Sequence, residues 1–370
     1  MQASGSTGRR VFLHVGAPKT GTTYLQARLS ANAGELRDHG VLVPRTPWWS
    51  GRGELHFRAA LDLLGQDWGG PPGHARGAWA QLLRRTRRHE GTVVISNELL
   101  AGVSPEVAAR VLADLGGEVH VVYTTRDPSR LLPSAWQEAV KQGRAMKFRR
   151  FLDKARDGQL WFARVFDLPH VLQPWLASLP PEHVHVVTVP RSGIDPDVLW
   201  RRFCGVLGID PAWAPVTPER RNESLGVSET QLLRRLNTRL ERRTNYRNDH
   251  LVKDLIAQRV LVGRPSVPVR LPPDDYGWVS DLADRWISWA RQAGVDVVGD
   301  LDELRPVPPP PGERWIDPDH FRPKQFRKAA VDALAAAVTV AAERDDASTL
   351  NGRARRVRMR VGGLFTGQGR

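Results

Sequence analysis

Four short runs of the chain are apolar at nearly every position and rich in β-branched residues: Val11–Val15, Thr92–Ser96, Val119–Thr125 and Val184–Val189. Runs of this kind mark strands buried on both faces, as in a parallel sheet. Val41–Val43 adds a weaker fifth. Between them, apolar residues recur every three or four positions. This predicts helices over Thr22–Ala31, Leu55–Leu64, Arg76–Arg88, Pro105–Leu115, Ser129–Lys141 and Asp195–Leu207. Strands alternating with helices predict an α/β fold with a central, mainly parallel sheet flanked by helices. Right-handed crossovers would then place the C-terminal strand ends on one edge, where open α/β sheets bind ligands. After Leu207 the strand signals stop. Helical patterns over Ser228–Leu240, Asp249–Leu261, Tyr276–Ala293 and Lys324–Glu343 predict a helical C-terminal half, and Pro306–Pro311 reads as an extended surface connection.

Composition refines this picture only in places. The chain has 370 residues, 41% of them hydrophobic and 25% charged, with a net charge of +14. Six arginines and no acid fall in 351–370, so residues 1–350 carry +8 of that total. A basic arm on a moderately basic body suits an anionic small ligand as well as a polymer. The expected organisation is a flexible terminus over 1–9, a single domain over 10–350 and a basic, disordered tail over 351–370. Within the domain the α/β part runs to about residue 210 and the helical part over about 211–350. The one cysteine, Cys204, excludes an intrachain disulfide and lies in an apolar helical pattern, which predicts a buried, inert thiol. Neither a secretory signal nor an apolar run of about 20 residues is present, so the expectation is a cytoplasmic protein without membrane insertion.

The richest chemical signal is the stretch His14–Tyr24, HVGAPKTGTTY. Here a strand runs through a glycine-containing turn into a helix. Turn amides and the positive end of the helix dipole make an anion site. Gly16 and Gly21 permit close backbone approach, Lys19 supplies a cation, and Thr22 and Thr23 supply hydroxyls. The stretch departs from the nucleotide-binding P-loop, because Thr22 stands where G-x-x-x-x-G-K-[ST] requires lysine. With Pro18, Lys19, Thr20, Gly21, Thr22 and Thr23 following a first strand, it resembles the loop that binds the 5′-phosphosulfate in sulfotransferases. These enzymes use 3′-phosphoadenosine 5′-phosphosulfate (PAPS). The resemblance covers about residues 10–210 in motif order. It implies a P-loop-like sulfotransferase fold of bacterial type, with PAPS as sulfuryl donor, adenosine 3′,5′-bisphosphate (PAP) as product and no metal.

The third strong strand ends in Thr124-Thr-Arg-Asp-Pro, with Asp127 suited to cap a helix and Pro128 to open it. Arg126 would then sit on the ligand edge, and Ser134 two turns along the helix. An arginine followed eight positions later by a serine resembles the family's 3′-phosphate-binding segment, which implies that role for Arg126 and Ser134. Pro133, just before that serine, would be expected to kink the helix.

Glu98 follows the second strong strand and is similar in order to the catalytic glutamate of carbohydrate-modifying sulfotransferases. Its implied role is general base, beside a Lys19 that assists catalysis by neutralising developing charge. His56 is the second candidate base, since imidazole titrates near neutrality, although a surface helix position is the plainer expectation for it. Trp48, Trp49 and Trp68 could line an acceptor pocket, and Glu219–Leu225 could add phosphate contacts. The acceptor would be a hydroxyl or amine on a carbohydrate, lipid or small metabolite, with nucleic acid not expected. Two rivals stand beside this reading: a catalytically silent protein binding nucleic acid or an anionic polymer, and a P-loop kinase.

Overall fold

The computed structural model describes residues 8–46, 54–191, 193–195, 197–217, 225–240, 260–261, 266–320 and 323–348. The described residues of Met1–Trp136, Lys147–Asn222 and Arg270–Ile316 form one compact unit, and those of Gln137–Met146, Glu223–Val269 and Asp317–Arg370 a second.

The first unit is built on a six-stranded sheet: β1 Arg10–Gly16, β2 Val41–Leu42, β3 Thr92–Ser96, β4 Glu118–Thr125, β5 Val184–Thr188 and β6 Asp296–Val298. Their spatial order is β2-β3-β1-β4-β5-β6, and every neighbouring pair is parallel. The interior strands are buried along almost their whole length, as their unbroken apolar runs require. β6 corrects the expectation that strands end before Leu207. It is three residues long, only half buried and paired on one side, so it carries little of the hydrophobic signature that betrays the others.

Helices α1 Thr22–Ala31, α2 Ala33–Asp38, α3 Leu55–Leu63, α4 Ala78–Thr86 and α5 Pro105–Leu115 connect the first four strands. Helix α6 Pro128–Lys141 follows β4 and crosses from the first unit into the second. Asp127 caps it by accepting from the Arg130 amide at 3.1 Å, and the helix runs on through Pro133. Then come α7 Phe148–Arg156, α8 Trp161–Phe166, α9 Leu168–Leu176 and α10 Asp197–Leu207. On one sheet face Leu25, Leu29, Trp200, Phe203 and Leu207 pack with Phe12, Val94, Val122 and Val187 into one core cluster. Cys204 lies within it, and burial pushes its thiol up to about 12, so it is inert as the sequence suggests.

In the second unit, α11 Val227–Leu240 packs with the final helix, which is α13 Pro323–Ser348 because α12 Tyr276–Ala293 belongs to the first unit. Asn237 on α11 donates to the Val140 carbonyl at 2.7 Å, and Arg235 stacks over Phe326. The expected helix over Asp249–Leu261 lies almost entirely outside the described residues. None of the described helices is long and apolar enough to cross a membrane.

Candidate functional site

β1 stands between β3 and β4, so the chain winds outward in both directions from it, and the crevice at the C-terminal ends of these three strands is the topological switch point of the sheet. Three sequence-marked segments meet this edge. β1 delivers the loop Gly16–Thr23, β3 delivers Glu98, and β4 delivers Arg126.

Backbone handedness shapes the loop. Lys19 has φ 68° and Gly21 φ 89°, while Thr20 between them stays on the negative side. Such alternation curls successive amides into a concave anion-binding nest. A non-glycine residue with positive φ costs about 1–3 kcal/mol and is held there only by its surroundings. Glycine at 21 is required by its positive φ, and an added side chain there would also have to displace the Leu199 methyl, 2.5 Å away. Thr22 opens α1, whose N-terminal end faces the nest.

The loop rests on a buried polar row. Gln26 on α1 donates to Ser96 Oγ at 3.2 Å and to Glu98 Oε2 at 3.1 Å. Ser96 Oγ lies 2.7 Å from His14 Nδ1, and His14 Nε2 lies 3.2 Å from Thr124 Oγ1. Thr124 donates to the Gly16 carbonyl at 2.9 Å, and Thr20 Oγ1 donates to the Ala17 carbonyl at 2.5 Å. Burial holds His14 down to about 3, so its ring is neutral and carries one hydrogen. With that hydrogen on Nε2 the row runs amide to serine, serine to imidazole and imidazole to threonine, and at its loop end Thr124 Oγ1 also lies 2.6 Å from Thr20 Oγ1, where either hydroxyl can be the donor. The Thr20 hydroxyl is engaged by the Ala17 carbonyl and by Thr124, which ties the loop's shape to β4.

Glu98 begins a short 3₁₀ turn, Glu98–Gly102, capped by Asn97 through the Leu99 amide at 3.1 Å. A Cβ built on Gly16 would stand 3.4 Å from the Glu98 Cβ, so the carboxylate arm starts directly against the loop. Glu98 is half-buried, and among the described residues no lysine or arginine comes within ion-pair distance of it.

Arg126 is the electrostatic anomaly of this edge. Its Nη2 donates to the Arg130 carbonyl at 2.7 Å, but its buried Nε has no acceptor. Among the described residues no carboxylate comes within ion-pair distance. Burial lowers its pKa to about 10, the Arg130 charge adds to the fall, and Asp127 opposes it. Ser134 is half-buried, two turns along α6.

His56 departs from its plainer expectation. It lies on α3, part-buried against β3, where its Nδ1 accepts from the Ser96 amide at 3.3 Å. Desolvation lowers its pKa to about 4, against the backbone groups of Ser96 and Pro44, which raise it. Its Nδ1 lone pair is already engaged. Trp68 is half-exposed and packs edge-on against Phe57. Trp48, Trp49 and nearly all of 219–225 lie outside the described residues. What the sequence reading missed is the row beneath the loop. His14, Ser96 and Thr124 sit on three different strands, and only their shared height in the sheet brings them together.

No family model matches the chain, and no curated protein matches it. Among solved structures, the chain is similar to the crystal structure of mouse sulfotransferase SULT7A1 complexed with PAP, at 13% identity. The match covers 78% of this chain and 89% of that chain, with a TM-score of 0.38. A likeness that slight fixes neither an activity nor the role of any residue.

Proposed function

We propose that this protein is a sulfotransferase that uses PAPS to sulfate a hydroxyl or amine of a small-molecule or glycan acceptor. The observation that carries the reading is Arg126: a part-buried guanidinium whose buried Nε lacks an acceptor, with no carboxylate within ion-pair distance among the described residues. An unpaired buried charge costs several kcal/mol, and a phosphate ligand offsets that cost with charge-assisted, bidentate hydrogen bonds. Its strand neighbours the one that delivers the Lys19 loop, and two anion sites on adjacent strand ends suit a ligand phosphorylated at two positions. The polar character of the loop fits the same group.

PAPS, when bound, supplies a sulfuryl group activated by its 5′-phosphate. The nest Gly16–Thr23 holds that phosphosulfate, and Arg126 and Ser134 hold the 3′-phosphate. Glu98 takes the proton from the acceptor as its oxygen or nitrogen bonds to sulfur. Gln26 orients the carboxylate through Oε2. Lys19 neutralises the charge left on the bridging oxygen as the old sulfur–oxygen bond breaks and its electron pair departs with PAP.

The test is ligand stabilisation. At about a hundredfold excess over its dissociation constant, PAP stabilises the fold by roughly 2.7 kcal/mol. AMP, filling one phosphate site, stabilises it less at equal concentration. A thermal shift with PAP no larger than with AMP overturns the assignment.

A further inference from the structure

At the opposite end of β4 from Arg126, about 23 Å away along an eight-residue strand, lies a second cluster of ionisable side chains. Glu118 and His120 are two residues apart on β4 and so share a face of the sheet. The parallel register Val121↔Val184, carried back one step, sets His120 beside His183. His120 and His183 stack with ring centroids 4.2 Å apart. One donor atom from each of Glu118, His120 and His183 lies within 4.8 Å of the other two.

The hydrogen bonds around this trio do not balance with neutral rings. His120 Nε2 is 2.9 Å from Glu118 Oε1, His120 Nδ1 is 2.9 Å from His185 Nε2, and His185 Nδ1 is 2.7 Å from Asp296 Oδ2. Three contacts need three hydrogens, and two neutral imidazoles bring two. Asp296 can only accept, so the His185 hydrogen sits on Nδ1, and His120 then donates from Nδ1 to His185. That leaves the His120 Nε2 lone pair facing a carboxylate oxygen. Something positive belongs between them, either a third proton or a metal ion. The histidine that would bind metal through Nε2 already passes its other N–H to an acceptor, which in turn is fixed by a carboxylate. This is the supporting arrangement that metal-bound histidines use.

We propose that Glu118, His120 and His183 form a zinc-class metal site, with His185 and Asp296 as its orienting partners. Two imidazoles and a carboxylate suit Zn²⁺, with a fourth position left to water. Tetrahedral zinc needs its donors about 3.4 Å apart, given bonds of about 2.1 Å. Rotation of Glu118 and a swing of His183 out of its stacked position close that difference, because both are only part-buried. The ion would pin the approach to β5 against β4, far from the proposed transfer site, so this inference stands whether or not the protein is a sulfotransferase.

The experiment uses the untagged full chain, freed of metal by chelation and titrated with Zn²⁺ against a chromophoric chelator, with Co²⁺ absorption as a spectral check. One ion binds per chain, and His183→Ala weakens it at least tenfold while unfolding as wild type. His183 lies outside the Glu118–His120–His185–Asp296 row, so this variant keeps the row intact. Glu118→Gln weakens binding comparably, and His170→Ala, which alters an exposed histidine elsewhere, leaves it unchanged. Failure of the wild type to bind, or wild-type affinity in both His183→Ala and Glu118→Gln, overturns the proposal and assigns the third position to a proton.

Discussion

Replacing Arg126 with methionine should move stability and ligand binding in opposite directions. Methionine keeps most of the volume of the stem and removes the charge. The fall of the guanidinium pKa to about 10 corresponds to about 3 kcal/mol held against the charged form in the folded state. The folded value lies below the unfolded one. The penalty is therefore fully present at neutral pH and lifts only as pH rises through about 10. Against it stands one hydrogen bond to the Arg130 carbonyl, about 1 kcal/mol. The net expectation is a ligand-free protein about 1–3 kcal/mol more stable than wild type, within the range seen when apolar residues replace buried charges. The same substitution should weaken PAP ten- to a hundredfold, since a charge-assisted bond contributes about 1.5–3 kcal/mol, and should leave AMP nearly untouched. Urea unfolding without ligand and calorimetric titration with both nucleotides measure the two halves. A destabilised Arg126→Met that binds PAP and AMP in the wild-type ratio would make Arg126 a structural residue and remove the main support for the proposed function.

Glu98→Gln keeps the hydrogen-bonding shape beside Gln26 but cannot take a proton. It should bind PAP as wild type and lose roughly 10²–10⁴-fold in turnover, read with any acceptor that a substrate screen supplies. Undiminished turnover would free the reaction from this base. His56 should act on stability, because it is buried neutral with a pKa of about 4. The unfolded chain takes up its proton first, so this stability is present above pH 6.5 and is lost as pH falls from 6.5 to about 4. Folding measured across that window should flatten in His56→Ala by about one proton's worth of slope. An unchanged slope would show that His56 is not buried neutral.

The sequence exposes those parts of the fold whose physics is local. β1, β3, β4 and β5 are legible because each must be apolar on both faces, and the Asp127–Pro128 helix start is legible because capping uses neighbouring residues. α7 is legible in principle, since Phe148, Phe151, Leu152 and Ala155 fall on one face, but it lies in a stretch the strand-centred reading passed over. β6 is hidden because an edge strand of three half-exposed residues leaves almost no pattern. At the site, the loop and Arg126 announce themselves through spacing. The burial of His56 depends on what α3 packs against, and the Glu118–His120–His183 group depends on a register that pairs positions 63 residues apart, as Val121 with Val184. Neither is encoded within any one segment.

The row from Gln26 to the Gly16 carbonyl has one further consequence. Gln26, Ser96 and His14 each give one hydrogen forward along the row, and at the loop end the hydroxyls of Thr124 and Thr20 share two carbonyls and each other. The anchor that holds the Glu98 carboxylate and the anchor that holds the loop are the two ends of one object. Loosening either end slackens the other, so damage to the base's support would be felt as a floppier anion nest on the far side of a strand.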